Sequence, residues 1–231
     1  MVNDQLPDPP PPRQSDDPSP SEQRQRRYVK RGAVARERII SRVAPARRVD
    51  SAIFTRVNSS VRHRRLDGVA SFLALVFNGG WAWIIATALL LPFRRTRARA
   101  RHILKVLTVP TWVAALGVEG PIKRYFRRQR PFHVEQGVVL VGREPSNYSF
   151  PSGHAAAAFG GARMMQRLLP RWAWLWYAIA SLVAWSRVYL GVHYPSDVTM
   201  GAVLGTLLAE STYRVQRRIW PSADAGTLPE R

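Results

Sequence analysis

From Val69 onward the chain is a succession of apolar stretches separated by short basic breaks. Few folds can absorb that pattern. Residues 69–93 (VASFLALVFNGGWAWIIATALLLPF), 102–122, 154–168, 171–190 and 197–213 each form one such stretch. A bilayer-spanning helix needs about 20 predominantly apolar residues. The spacing therefore predicts an all-α, polytopic transmembrane bundle of five to six helices. Internal punctuation adds detail. Asn78-Gly79-Gly80 predicts a break in the first stretch, and Pro110 a kink in the second. The Ala- and Gly-rich 154–168 suits close helix contact, as does Gly201-x-x-x-Gly205. The tryptophans of 171–190 suit a membrane interface.

The remainder is polar. Residues 1–47 read as a disordered, basic, Pro-rich tail that cannot build a core. Residues 48–67 place apolar side chains at helical spacing among arginines, which fits an interfacial amphipathic segment or a small helical cap. The membrane domain is expected over 68–215 and a C-terminal tail over 216–231. No cleavable signal peptide is visible, so the first apolar stretch is expected to direct insertion. The net charge of +20 would also suit a nucleic-acid binder. However, no DNA or RNA motif is visible, and the aromatic residues lie inside the apolar runs. Anionic lipid headgroups are the expected partners of the basic segments. The chain has no cysteine, which excludes disulfides, zinc–thiolate sites and thiol catalysis.

Alternating the stretches across a bilayer brings three polar patches to one side. The first is Lys123–Pro131 (KRYFRRQRP). Lys123 and Arg130 are expected to share a helical face, two turns apart, and to bind phosphate as point charge and fork. Arg124, Arg127 and Arg128 are expected to face headgroups. The second is Pro151-Ser152-Gly153-His154 at the start of an apolar helix. There, backbone N–H groups, the Ser152 hydroxyl and a close approach at Gly153 make an anion site. Read alone, Ser152 is equally a helix cap. The third is Ser186–Asp197 (SRVYLGVHYPSD), with the cation Arg187, and with His193 four residues before Asp197. A carboxylate there can fix the imidazole tautomer and leave the second nitrogen free as nucleophile or base. Pro195 is expected to start the last helix.

Lys-x6-Arg-Pro, Pro-Ser-Gly-His and Ser-Arg-x5-His-x3-Asp, in that order, resemble the signature of the type 2 phosphatidic acid phosphatase (PAP2) superfamily. The resemblance covers about residues 66–213. The opening segment LDGVASFLALVFNGGWAW looks more loosely like small bacterial members of the undecaprenyl-diphosphate phosphatase type. The resemblance implies that His193, oriented by Asp197, attacks phosphorus and forms a phosphohistidine, and that His154 protonates the leaving oxygen and then activates water. Lys123, Arg130, Ser152, Gly153 and Arg187 would hold the phosphoryl oxygens. The implied substrate is a membrane lipid phosphate, such as a prenyl diphosphate or phosphatidic acid. No cofactor or metal is expected. The only acids between 68 and 209 are Glu119, Glu135, Glu144 and Asp197, and they form no cluster of the kind Mg²⁺ needs. An inactive binding protein or a transporter lined by the same cations is the alternative. The arginine-rich loop 94–101 places its side in the cytoplasm. The expected location is therefore the plasma (inner) membrane, with the three patches facing outward. Five spans would leave the basic N-terminal tail on that outer side as well.

Overall fold

A computed structural model describes residues 44–60 and 63–219. All of these belong to one compact unit, Pro45–Arg231, apart from Ala44, which ends the unit Met1–Ala44. The tail expected over 1–47 and the end of the C-terminal tail, 220–231, lie largely outside the described residues.

Among the described residues every regular element is helical. The nine α-helices are α1 (Ala44–Thr55), α2 (Arg64–Val76), α3 (Trp81–Ala88), α4 (Arg97–Gly117), α5 (Lys123–Phe126), α6 (Pro131–Val134), α7 (Gly153–Leu168), α8 (Ala173–Tyr189) and α9 (Pro195–Ile219). The break expected at Asn78-Gly79-Gly80 is present. Gly79 and Gly80 both take positive φ, which glycine adopts without a Cβ penalty, and α2 and α3 meet there at 51°. Pro110 lies inside a helix that continues to Gly117. Pro195 begins α9, where its missing N–H costs no helical hydrogen bond.

The bundle centres on α7, which packs against α4, α8 and α9. Its inner face is built from Ala155, Ala156, Ala157, Ala158, Gly160 and Gly161, all buried. Small residues let helix backbones approach closely. A Cβ on Gly205 would lie 2.2 Å from the Ala156 carbonyl oxygen, and one on Gly201 would lie 2.4 Å from that of Ser152. The Gly201-x-x-x-Gly205 stripe therefore seats α9 directly on the backbone of α7. Larger side chains fill the core on the other side of α7, where Trp83 meets Phe77 and Trp176 edge-on.

Many large apolar side chains lie on the outer surface. Phe72, Leu75, Leu116, Trp174, Leu182 and Leu207 are all exposed, which suits a lipid-facing surface. By length and hydropathy alone, Arg97–Val134 qualifies as a span, and so does the bent pair Arg64–Val76 with Asn78–Ala88 if it is counted as one.

Candidate active site

The three patches meet at one end of the bundle. Glu119, Lys123, Arg130, Asn147, His154, Arg187 and His193 line one pocket, together with Asn78 and Pro145. Lys123 and Arg130 are both buried, but not through a shared helical face. Helix α5 ends at Phe126, and Arg127 takes a left-handed conformation. Arg130 is extended ahead of Pro131, as the ring of a following proline requires. The chain thus turns and brings Arg130 back beside Lys123. The expected two-turn helical register fails because the helix is too short.

Arg130 is held rigidly. Its Nε donates to the Asn147 carbonyl at 2.8 Å, and Nη1 to the Val192 carbonyl at 2.7 Å. Nη1 also lies 3.4 Å from His193 Nε2. Arg187 contrasts with it. This guanidinium is 8% exposed, and its Nε has no hydrogen-bond partner among the described residues. A buried guanidinium with an unsatisfied N–H is costly, so an anion is the natural complement of the pocket.

The start of α7 combines two roles. Ser152 Oγ caps the helix by accepting from Ala155 N at 3.4 Å, while Ser152 N donates to the Asp197 carbonyl at 2.9 Å. The cap reading of Ser152 therefore holds; Ser152 is fully buried, and neither it nor Gly153 is among the residues that line the pocket. The Ser152 backbone N–H is spent on α9. His154 Nε2 lies 3.1 Å from the Ala74 carbonyl, in the last turn of α2. Carbonyls in a last turn lack helical partners. That contact makes Nε2 the protonated nitrogen and leaves Nδ1 for proton transfer.

His193 sits between α8 and α9 and is 2% exposed. Its Nδ1 is 3.6 Å from Asp197 Oδ2, an ion-pair distance longer than a hydrogen bond. Burial first, then the charges of Arg130, Arg187 and Lys123, push its pKa well below the usual imidazole value. The ring is therefore neutral at pH 7, with Nε2 turned toward Arg130.

Sequence reasoning missed what holds Asp197. Arg128, expected at the headgroups, turns inward: its Nη1 donates to Asp197 Oδ1 at 2.7 Å and its Nη2 to Asp50 Oδ2 at 2.7 Å. Asp50, on α1, also accepts from Ser196 N at 2.8 Å. Asp197 Oδ2 accepts from the Ser149 hydroxyl and from Tyr194 N. Asp50, Phe54 and Asn58 are the buried positions of residues 50–58, recurring every fourth residue. The segment read as interfacial or as a small helical cap thus supplies Asp50 to the network that holds Asp197. The i, i+4, i+8 spacing was the available signal; that two of its three positions are polar obscured it. Arg124 and Arg127 are exposed. Among the described residues no group of three or more His, Asp or Glu could hold a metal ion.

Comparison with known proteins gives this geometry a family. The undecaprenyl-diphosphatase of Sulfolobus acidocaldarius is 37% identical over 153 residues, 65% of this chain and 71% of its own. The lipid A 4'-phosphatase of Porphyromonas gingivalis is 26% identical over 193 residues, covering 78% and 80%. The crystal structure of a transmembrane PAP2-type phosphatidylglycerolphosphate phosphatase from Bacillus subtilis shares the fold, with a TM-score of 0.56 at 24% identity over 81% of this chain and 95% of that one. Residues 104–221, about half of the chain, match the family model of the PAP2 superfamily. With the three motifs gathered at one pocket, the chain belongs to the PAP2 superfamily.

Proposed function

We propose that this PAP2-type membrane phosphatase removes the terminal phosphate of a membrane lipid, a prenyl diphosphate or a phosphatidic acid-like monoester, through a phosphohistidine and without a metal. The observation that carries the reading is the buried Arg187, whose Nε has no hydrogen-bond partner among the described residues, beside Lys123, Arg130 and the neutral His193 in one pocket. Phosphoryl transfer depends above all on positioning and on neutralising the equatorial oxygens. The three cations and the first N–H groups of α7 supply both. The similar proteins named for undecaprenyl diphosphate and lipid A share a phosphate carried on a membrane lipid.

In the first step His193 Nε2 bonds to phosphorus as the lipid–oxygen bond to phosphorus breaks, and the leaving oxygen takes a proton from His154. Asp197 steadies the charge that develops on the His193 ring. In the second step His154 takes a proton from water, the hydroxide displaces His193 from phosphorus, and inorganic phosphate departs. The balance is lipid phosphate plus water giving dephosphorylated lipid plus phosphate.

The test is phosphate release from a panel of lipid phosphates, in detergent micelles, with and without EDTA. His193→Ala is expected to abolish release, and EDTA to leave the wild-type rate unchanged. Wild-type turnover in His193→Ala would refute the mechanism. A binding-only or transport protein would release no phosphate in any arm. The site is assigned to the extracytoplasmic face, opposite the basic loop 94–101, and the bundle to five or six spans.

A further inference from the structure

One group in the pocket has the wrong sign for it. Glu119 lies in the π-type turn Val118–Ile122, one turn before Lys123. Its Oε1 accepts from Lys123 Nζ at 2.7 Å, and its Oε2 from Asn147 Nδ2 at 2.8 Å. A Cβ built on Gly153 would be 2.0 Å from Glu119 Oε1. The carboxylate therefore rests on the first residue of α7, where the helix N-terminus favours an anion. Lysine ammonium, amide N–H₂ and helix N-terminus are the donors a phosphoryl group would use, and a carboxylate now takes them.

We propose that Glu119 is a place-holder for the phosphoryl group: it occupies the anion cradle when the site is empty, swings out when substrate binds, and returns to displace product phosphate. The proposal rests on the phosphatase reading and adds to it an affinity-setting residue. Both states are accessible to the side chain. It is 37% exposed, in contrast to the buried cations around it, so leaving the cradle moves it toward water. Asn147 follows the same logic. It bridges Glu119 and Arg130, contacting Arg130 Nη2 through its Oδ1 at 2.5 Å. Departure of the carboxylate frees the Asn147 amide to donate to phosphate. The cradle holds three cations and one carboxylate. A phosphate dianion replacing that carboxylate meets three positive charges, whereas a dianion beside it meets like charge at contact distance. Gly153 takes its meaning from the same contact: any side chain there would collide with the place-holder and with the phosphate alike.

The test compares orthovanadate and inorganic phosphate as inhibitors of full-length wild type, Glu119→Gln and Glu119→Asp. Glu119→Gln keeps the shape and removes the charge. Its inhibition constants are expected to fall about tenfold, the scale of a neighbouring like charge at a partly exposed site. KM and kcat should fall together as product release slows. Glu119→Asp keeps the charge but withdraws it by one methylene from α7. It too should tighten vanadate, by at least threefold, which mere loss of net charge would not predict. A structural defect would weaken both anions. Constants within threefold of wild type in either variant, or weaker binding, overturn the place-holder. If His193→Ala remains inactive in the same assays, that outcome leaves the phosphatase reading standing. Full turnover in His193→Ala would remove the reading itself.

Discussion

Replacing Arg128 with methionine tests whether the inward-turned arginine holds the His–Asp pair. Asp197 is fully buried, and the Arg128 side chain is 21% exposed. Breaking a buried ion pair from one side costs about 3–5 kcal/mol, because the remaining charge is stranded. Two features move the estimate to the low end. Asp197 keeps the Ser149 hydroxyl and the Tyr194 amide, and Asp50 keeps Ser196. The expected loss is therefore about 3 kcal/mol, within the stability of a folded domain. It is read by equilibrium unfolding in mixed micelles. Arg128 does not line the pocket, so KM should change little. With Asp197 free to shift, His193 loses its orientation, and kcat should fall by about 10²-fold, the cost of misplacing a reacting group by about an ångström. Arg128→Lys, which cannot reach both carboxylates with a fork, should lie between. A stability loss below about 1 kcal/mol together with an unchanged kcat would refute the idea that Asp50 and Arg128 position Asp197.

Three further outcomes follow from the same geometry. The His193 pKa is pushed down, so the folded protein binds fewer protons than the unfolded chain as pH falls below about 6.5, and His193 contributes stability that is lost on acidification through that window. NMR of labelled histidine, with the His193 resonance identified by its loss in His193→Gln, should show a neutral ring at pH 6; a midpoint at or above 6.5 would contradict the assignment. Gly205→Ala forces a methyl into the Ala156 backbone and should cost about 1–3 kcal/mol with reduced activity, whereas Gly68→Ala, with nothing within 4 Å, should leave thermal unfolding unchanged or raise its midpoint; equal effects would argue against the close α7–α9 contact. Single cysteines at exposed Arg99 and Arg143, introduced into a chain with none, should react with an impermeant maleimide from opposite sides of the membrane, Arg143→Cys from outside; labelling of Arg99→Cys from outside would reverse the orientation.

Much of this site was legible because its chemistry is local in sequence. Pro-Ser-Gly-His announces a helix start, and Pro195 after His193 announces another, so the capping Ser152 and the four-residue step to Asp197 could be placed without coordinates. The Gly79-Gly80 break and the Gly201–Gly205 stripe were also signalled, the stripe more weakly, because small-residue spacing alone does not say which helix it meets. What was not legible depended on long-range pairing. Arg128 looks like its neighbours Arg124 and Arg127. Only the left-handed turn at Arg127 sends it inward, to a partner, Asp197, that lies 69 residues further along the chain. Asp50 and Asn58 sit on an ordinary arginine-rich helix until α9 and the 138–149 loop arrive to use them. Glu119 read as a stray acid near a lysine. Its position over Gly153 exists only once α4 and α7 are packed.

On the proposed reading, the backbone contact between α7 and α9 also bears on how the enzyme would meet its substrate. Helices that touch at Gly201 and Gly205 leave no interior slot between them for an alkyl chain. On the proposed reading, the hydrocarbon tail then stays dissolved in the bilayer while only the headgroup is inspected. Encounter becomes a two-dimensional search, and turnover follows the mole fraction of substrate among surrounding lipids instead of its concentration in the bulk. Adding inert lipid at constant substrate should dilute the reaction. On the same reading the dephosphorylated lipid would leave sideways, within the membrane.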